Sequence, residues 1–195
     1  MFNKEYRLLS FVPRWGIAPR LTQQSVAEHC FYVALYSSQL CDRMSDLPPA
    51  YKNIIVGYAL RHDAYEVWTS DMPGPGKRYI LDERKMDEYI GMFAKIVPDY
   101  RDYRRLATGV KIEELASRII KTADLLDEVF YLTMEFHMGN TLVENVLVHS
   151  RKRLWAKLSE SADDFSLKKT VEFELQRLVE EGARIPAMDV PLNPV

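Results

Sequence analysis

Four histidines occur in this chain of 195 residues, and two of them occupy positions that a helical period reserves for apolar side chains. His29 follows Val26 by three and precedes Val33 by four, and His62 follows Tyr58 by four. Asp63 adjoins His62, and Asp124 comes four residues after Ile120. A carboxylate among apolar neighbours is costly to bury unless a cation or a donor pairs with it. Two imidazoles and two carboxylates form a mixed nitrogen and oxygen set. That set suits Mn, Fe, Co or Zn, with Mg also admissible, better than an all-oxygen set selecting Ca would. An ion held in this way acidifies water toward neutral pH and polarises a phosphoryl oxygen. Metal-assisted hydrolysis of a phosphate ester is therefore the chemistry these residue types imply.

The elements that must position these groups follow from periodicity. Val26, Cys30, Val33, Ser37 and Leu40 step by four and three, and Ser25 with Glu28 forms a capping box, which predicts a helix over Ser25 to Arg43. Pro48 and Pro49 suit the opening of a second helix, on which Ile55, Tyr58, Ala59, His62 and Glu66 recur on one face. Pro73, Gly74, Pro75 and Gly76 make Ser70 to Gly76 a loop leaving that helix. Helices are further expected from Asp82 to before Pro98, over Tyr100 to Leu106, Ile112 to Phe136, Leu142 to Leu158 and Leu167 to Gly182. The tail with Pro186, Pro191 and Pro194 is expected to be non-helical. No stretch alternates at period two, so the fold class is all-α, with almost no sheet.

The order of His29, the pair His62-Asp63 and then Asp124 on helices resembles the HD-domain phosphohydrolases. An isolated His-Asp pair would say little. The flanking stretches Arg14-Trp15, Glu28-His29, His62-Asp63-Ala64-Tyr65-Glu66, Asp71-Met72-Pro73, Lys77 and Lys121-Thr122-Ala123-Asp124 resemble the YfbR-type 5′-deoxynucleotidases. They are also similar to short phage enzymes that cleave dATP to deoxyadenosine and triphosphate. The likeness spans roughly residues 10 to 150. It implies a single HD-type helical bundle over residues 1–195, a deoxynucleotide substrate and a homo-oligomer. It also implies His29, His62, Asp63 and Asp124 as ligands of a divalent transition metal and Glu66 as the acid/base group. Spacing supports that role, because position i+4 from His62 puts the Glu66 carboxylate on the same helix face, one turn on. Asp71, in the following loop, is a second candidate for it. Arg14 and Lys77 would grip phosphate, Arg through its planar fork and Lys as a point charge. Trp15 and Ile17 would contact the base. Gly16 departs from the YfbR pattern, which has a bulkier residue or proline there.

Other features have plainer explanations. Glu28 belongs to the capping box, and Asp124 could pair with Lys121 on a solvated helix face. His137 and His149 complete no ligand set, the basic run around Arg151 to Arg153 suits a solvated helix, and Tyr131, Phe136 and Trp155 suit a core or an interface. With 26 basic against 28 acidic residues the net charge is -2, which argues against duplex nucleic acid as a partner. Cys30 and Cys41 would stand about 16 Å apart along one helix, too far to bridge. No leader and no membrane span is legible, so a reducing cytoplasm is expected. Three readings compete with release of phosphate from a deoxynucleoside monophosphate. They are triphosphate release from a dNTP, with adenine favoured as the base, a nucleotide-binding module without turnover, and a phosphodiesterase acting on cyclic or oligomeric nucleotides.

Overall fold

The computed structural model describes residues 4–44, 47–73, 83–97, 100 and 111–160. A short helix α1, Glu5–Leu8, runs into a 3-10 turn over Leu9–Phe11, an opening that the periodicity did not predict. The chain then returns beside itself through one isolated antiparallel bridge between Pro13 and Ser25. There Arg14 N donates to Gln24 O at 2.8 Å and Val26 N to Val12 O at 2.9 Å. This clasp sets Arg14 next to the start of α2, Val26–Asp42.

The capping box that opens α2 is formed. Glu28 N donates to Ser25 Oγ at 3.2 Å, and Ser25 N donates to Glu28 Oε2 at 2.6 Å, so two N–H groups at the helix start are satisfied reciprocally. The buried face reads Val26, His29, Cys30, Val33, Ala34, Ser37, Leu40 and Cys41, the expected stripe with a histidine set into it. Helix α3, Pro49–Ala59, begins on proline, whose missing N–H costs nothing at that position.

The second expected helix ends earlier than its periodicity predicts. After Ala59 the chain tightens into turns that bond three residues back: Arg61 N to Tyr58 O, His62 N to Ala59 O, Ala64 N to Arg61 O and Glu66 N to Asp63 O, at 2.9 to 3.4 Å. A four-residue helix α4, Glu66–Thr69, follows. His62 and Asp63 thus sit in a turn, and the expectation that His62 and Glu66 share a face of one helix is corrected. The cause is tertiary. The hydroxyl of Tyr100 donates at 3.4 Å to the carbonyl of His62 in place of a donor from a continued helical ladder, and that of Tyr89 donates at 3.4 Å to the carbonyl of Tyr65, which also accepts from Trp68 N at 3.1 Å.

Helix α5 is Glu83–Ile96, α6 is Lys111–His137, and α7 is Glu144–Glu160, preceded by a 3-10 turn over Thr141–Val143. Gly139, at φ 98, takes the left-handed conformation that ends α6. The expected cap at Asp82, the segment 101–106, the helix over Leu167 to Gly182 and the tail lie outside the described residues. Among the described residues there is no strand beyond the single bridge, and no helix is long and apolar enough to cross a membrane. Cys30 and Cys41 are both buried free thiols.

Helix α6 is the spine: α2, α3 and α7 all pack along it. Together they enclose one apolar core that includes Val33, Ile55, Ala59, Ile119, Ile120, Ala123, Leu132 and Leu154. Truncating a fully buried member such as Ile119 or Leu132 to alanine should cost about 2–5 kcal/mol. Tyr131, Phe136 and Trp155 pack against this core as partly buried aromatics. A second core joins Leu9, Val26, Cys30, Ala64 and Tyr65 to Ile90, Phe93 and Tyr100. Along α2, His29 lies between Val26 of the second core and Val33 of the first, and His62-Asp63 lie between Ala59 of the first and Ala64 of the second. The polar cluster therefore occupies the seam where the two cores meet.

Candidate metal centre

Burial decides the character of the seam. His29 is fully buried and His62 nearly so, while the side chains of Asp63 and Asp124 retain 19% and 14% exposure, enough to open the cluster on one side. The two Nε2 atoms face each other at 3.2 Å. Asp124 Oδ1 stands 3.4 Å from His29 Nε2. Asp63 Oδ2 stands 3.3 Å from His62 Nε2 and 3.6 Å from His29 Nε2. His29, His62 and Asp124 each offer one donor atom, all within 4.8 Å of one another, and Asp63 adjoins that trio through the two imidazoles.

The outer ring nitrogens explain why the inner ones face inward. His62 Nδ1 lies 2.7 Å from Ala59 O, and a carbonyl only accepts, so Nδ1 carries the proton. His29 Nδ1 lies 2.6 Å from Asp127 Oδ2 and donates to it in the same way. Both Nε2 lone pairs then point into the cluster. Two lone pairs 3.2 Å apart repel unless something positive lies near both. The carboxylates add to that demand. Burial and the Arg14 charge oppose protonation of His29, yet the hydrogen bonds it donates to Asp124, Asp127 and Asp63 outweigh them and push its pKa up to about 10. Burial works against a charged Asp124 too, but Lys121 and the two imidazoles hold its carboxyl well below the usual range. The cluster thus favours added positive charge. Donors each bonded at about 2.0–2.2 Å to one ion would lie roughly 3.0–3.5 Å apart, close to the spacing seen here. The donor set fits a divalent transition metal.

The remaining sequence-predicted residues are distributed as follows. Glu66 opens α4, one turn after Asp63, and is 1% exposed. Asp71 accepts from Trp15 N at 2.9 Å, which joins the loop after α4 to the loop before α2. Trp15 and Ser70, at either end of that junction, are the non-glycine residues with positive φ among the described residues, at 63 and 60 degrees. Strain of this kind costs on the order of 1–3 kcal/mol and gathers at functional sites. The Trp15 ring stacks on Tyr131 with centroids 5.4 Å apart and planes 7 degrees from parallel, and its Nε1 finds no acceptor among the described residues. Arg14 is buried rather than forming an exposed stack with Trp15, although its guanidinium carbon does lie 5.3 Å from that ring centroid. Burial disfavours its charge, but Asp127, Asp124, Asp71 and Asp63 more than restore it, raising its pKa. Ile17 is 76% exposed. Lys77 lies outside the described residues. Asp124 does form the expected ion pair with Lys121, at 2.5 Å through Oδ2, but its side chain is only 14% exposed rather than on a solvated face, and Oδ1 turns to His29.

Sequence reasoning missed Asp127 and Gln24. Asp127 follows Asp124 by three on the apolar face of α6, and a second acid one turn along a buried stripe was the available signal. Gln24 carried no signal of its own.

The chain is similar to known proteins over most of its length. Residues 2–172 match the family described as 5′-deoxynucleotidase YfbR-like. A dATP triphosphohydrolase of Salmonella phage PMBT28 is 31% identical over 168 residues, covering 83% of this chain and 80% of the phage protein. A 5′-deoxynucleotidase of Pectobacterium atrosepticum is 29% identical over 166 residues, covering 80% of this chain and 83% of that protein. Among solved structures, the HD phosphohydrolase of Cyanophage S-2L, bound to dA and one catalytic Zn2+ ion, superposes with a TM-score of 0.67. It has 21% identity and covers 93% of this chain and 98% of its own. An all-helical fold, two inward-facing imidazoles flanked by two aspartates and a match over most of the length place the chain in one group: it belongs to the 5′-deoxynucleotidase YfbR-like family of HD-type phosphohydrolases.

Proposed function

We propose that this protein is a single HD-type domain over residues 1–195 that hydrolyses the 5′-phosphate of a deoxynucleoside monophosphate. His29, His62, Asp63 and Asp124 hold its divalent metal. The observation that carries the reading is the pair of Nε2 atoms 3.2 Å apart with Asp124 Oδ1 and Asp63 Oδ2 beside them. Such an ion, when bound, supplies Lewis-acid activation of the phosphoryl group and of the attacking water. The protein's own groups do the rest. Ala59 O and Asp127 keep the two imidazoles turned inward, and Lys121 steadies Asp124. Glu66, buried one turn from Asp63, moves the proton to the leaving 5′-oxygen, and Asp71 holds the Trp15 backbone in its strained turn. Arg14 brings positive charge to the phosphate, with Lys77 as its companion. Trp15 contacts the base through a ring whose N–H is otherwise unsatisfied, and Ile17 adds apolar surface beside it.

A second reading is favoured by the phage relative at 31% identity: release of triphosphate from dATP at the same centre. Both readings take a small nucleotide in the cytoplasm. The large exposed side chains Phe31, Leu35 and Ile54 support assembly into a homo-oligomer, which light scattering would measure. A panel of dNMPs, dNTPs and their ribose counterparts, each with Mn, Co, Zn and Mg, separates the chemistries by following phosphate against triphosphate. Phosphate from dNMPs supports the first reading, and triphosphate from dATP the second. Turnover of cyclic dinucleotides alone, or metal binding with no turnover of any nucleotide, overturns both.

A further inference from the structure

We propose that Asp127 is a positioning residue that orients His29 and Arg14 through one shared oxygen, so that metal affinity and substrate binding are set together. Asp127 Oδ2 lies 2.6 Å from His29 Nδ1, 3.2 Å from Arg14 Nη1 and 3.0 Å from Gln24 Nε2. Gln24 Oε1 in turn accepts from Arg14 Nη1 at 2.9 Å, closing a triangle of side chains that is buried throughout. Arg14 Nη1 also approaches His29 Nδ1 to 2.8 Å. Two N–H donors cannot satisfy each other, so the carboxylate is the acceptor that lets them lie side by side. Without its charge the imidazole N–H and the guanidinium would lie side by side with no anion between them.

The two imidazoles are thereby held unequally. His62 leans on the carbonyl of Ala59, a neutral acceptor that no side-chain substitution removes. His29 leans on a carboxylate, which fixes the Nδ1–H tautomer and makes Nε2 the more basic donor. Because Asp127 sits on α6 one turn beyond Asp124, the same helix supplies a group facing the cluster and the group behind His29. The orientation of Arg14 then depends on the residue that orients His29.

This inference rests on the reading of His29 as a metal ligand, and the test keeps the two apart. Zn2+ and Co2+ affinities are measured by calorimetry for the full chain, for Asp127→Asn and for Gln24→Ala, with thermal melts to confirm folding. Asp127→Asn should bind each metal about 10- to 100-fold more weakly. It should also shift the visible absorption of the Co2+ form and raise KM for the nucleotide. Gln24→Ala should raise KM while metal affinity stays within about threefold. Unchanged affinity and spectrum in Asp127→Asn overturn the proposal. Should that variant fail to fold, the 15N shifts of the metal-loaded wild-type imidazole decide: His29 protonated at Nδ1 supports the proposal, and Nδ1 without a proton overturns it. If the wild-type chain binds neither metal, the ligand reading itself fails, and this inference with it.

Discussion

Glu135 and Asp124 lie on the same helix, about 16 Å apart along its axis, and their surroundings could hardly differ more. Glu135 is fully buried and surrounded by donors: Leu21 N and Thr22 N, each at 2.7 Å, the Thr22 hydroxyl at 2.6 Å and the Asn140 amide at 2.8 Å. Asn140 also donates to Pro19 O at 2.9 Å, so the loop entering α2 is tied to the end of α6. Burial alone would raise the Glu135 pKa, but these donors bring it down to about 2. Asp124 has Lys121 on one oxygen and an imidazole nitrogen on the other. A carboxylate whose acceptor capacity is filled by protein N–H groups fastens the chain. One aimed at inward-facing lone pairs draws a cation instead.

Breaking the cluster should cost function outright, and fastening should survive. The largest expected effect is Asp63→Ala, which should lose stoichiometric metal by elemental analysis and fall to background turnover while still melting cooperatively. Glu66→Ala comes next: it should keep its metal and lose about 100- to 10,000-fold in kcat. If Glu66→Ala loses the ion as well, Glu66 belongs with the ligands and the proton-transfer role is wrong.

At the fastening end the reverse pattern should hold. Glu135→Gln should lower stability by about 1–3 kcal/mol, read as a urea midpoint shift at constant slope, with metal content unchanged. Its pH dependence has a definite sign. The folded carboxyl titrates near 2 against an ordinary value of 4.5, so its contribution is fully present above about 4.5 and is lost as pH falls toward 2. The gap in melting temperature between wild type and Glu135→Gln should narrow across that window. A gap constant from pH 6 to pH 3 would show that the donors around Glu135 do not favour its ionised form. The smallest effect is Ser25→Ala, which removes half of the capping box four residues before His29. It should cost about 0.5–2 kcal/mol in denaturant and leave metal affinity intact.

Local features were legible in the amino-acid order because their causes are local. Ser25 with Glu28, Pro48-Pro49 and the three-and-four spacing on α2 and α6 act within a turn or two: α2 and α6 begin and end close to where the periodicity puts them, and α3 begins where its prolines put it. The ordered His29, His62-Asp63 and Asp124 were legible in the same way, His29, His62 and Asp124 as polar residues at apolar positions of a helical period and Asp63 as the neighbour of His62. Helix α1 was not, since four residues carry too little periodic signal. The turn at His62 was not either, because its periodicity is helical and the tyrosine donors that bond its carbonyls come from 24 and 38 residues away.

What the order of residues determined by itself was an all-helical chain with two histidines and two aspartates set among apolar neighbours. Tertiary packing decided that these groups meet at a seam between two cores, with the His29 imidazole turned inward by Asp127 from another helix. A side chain's chemistry is carried by its own atoms, whereas its orientation depends on an acceptor that only folding brings within about 3 Å.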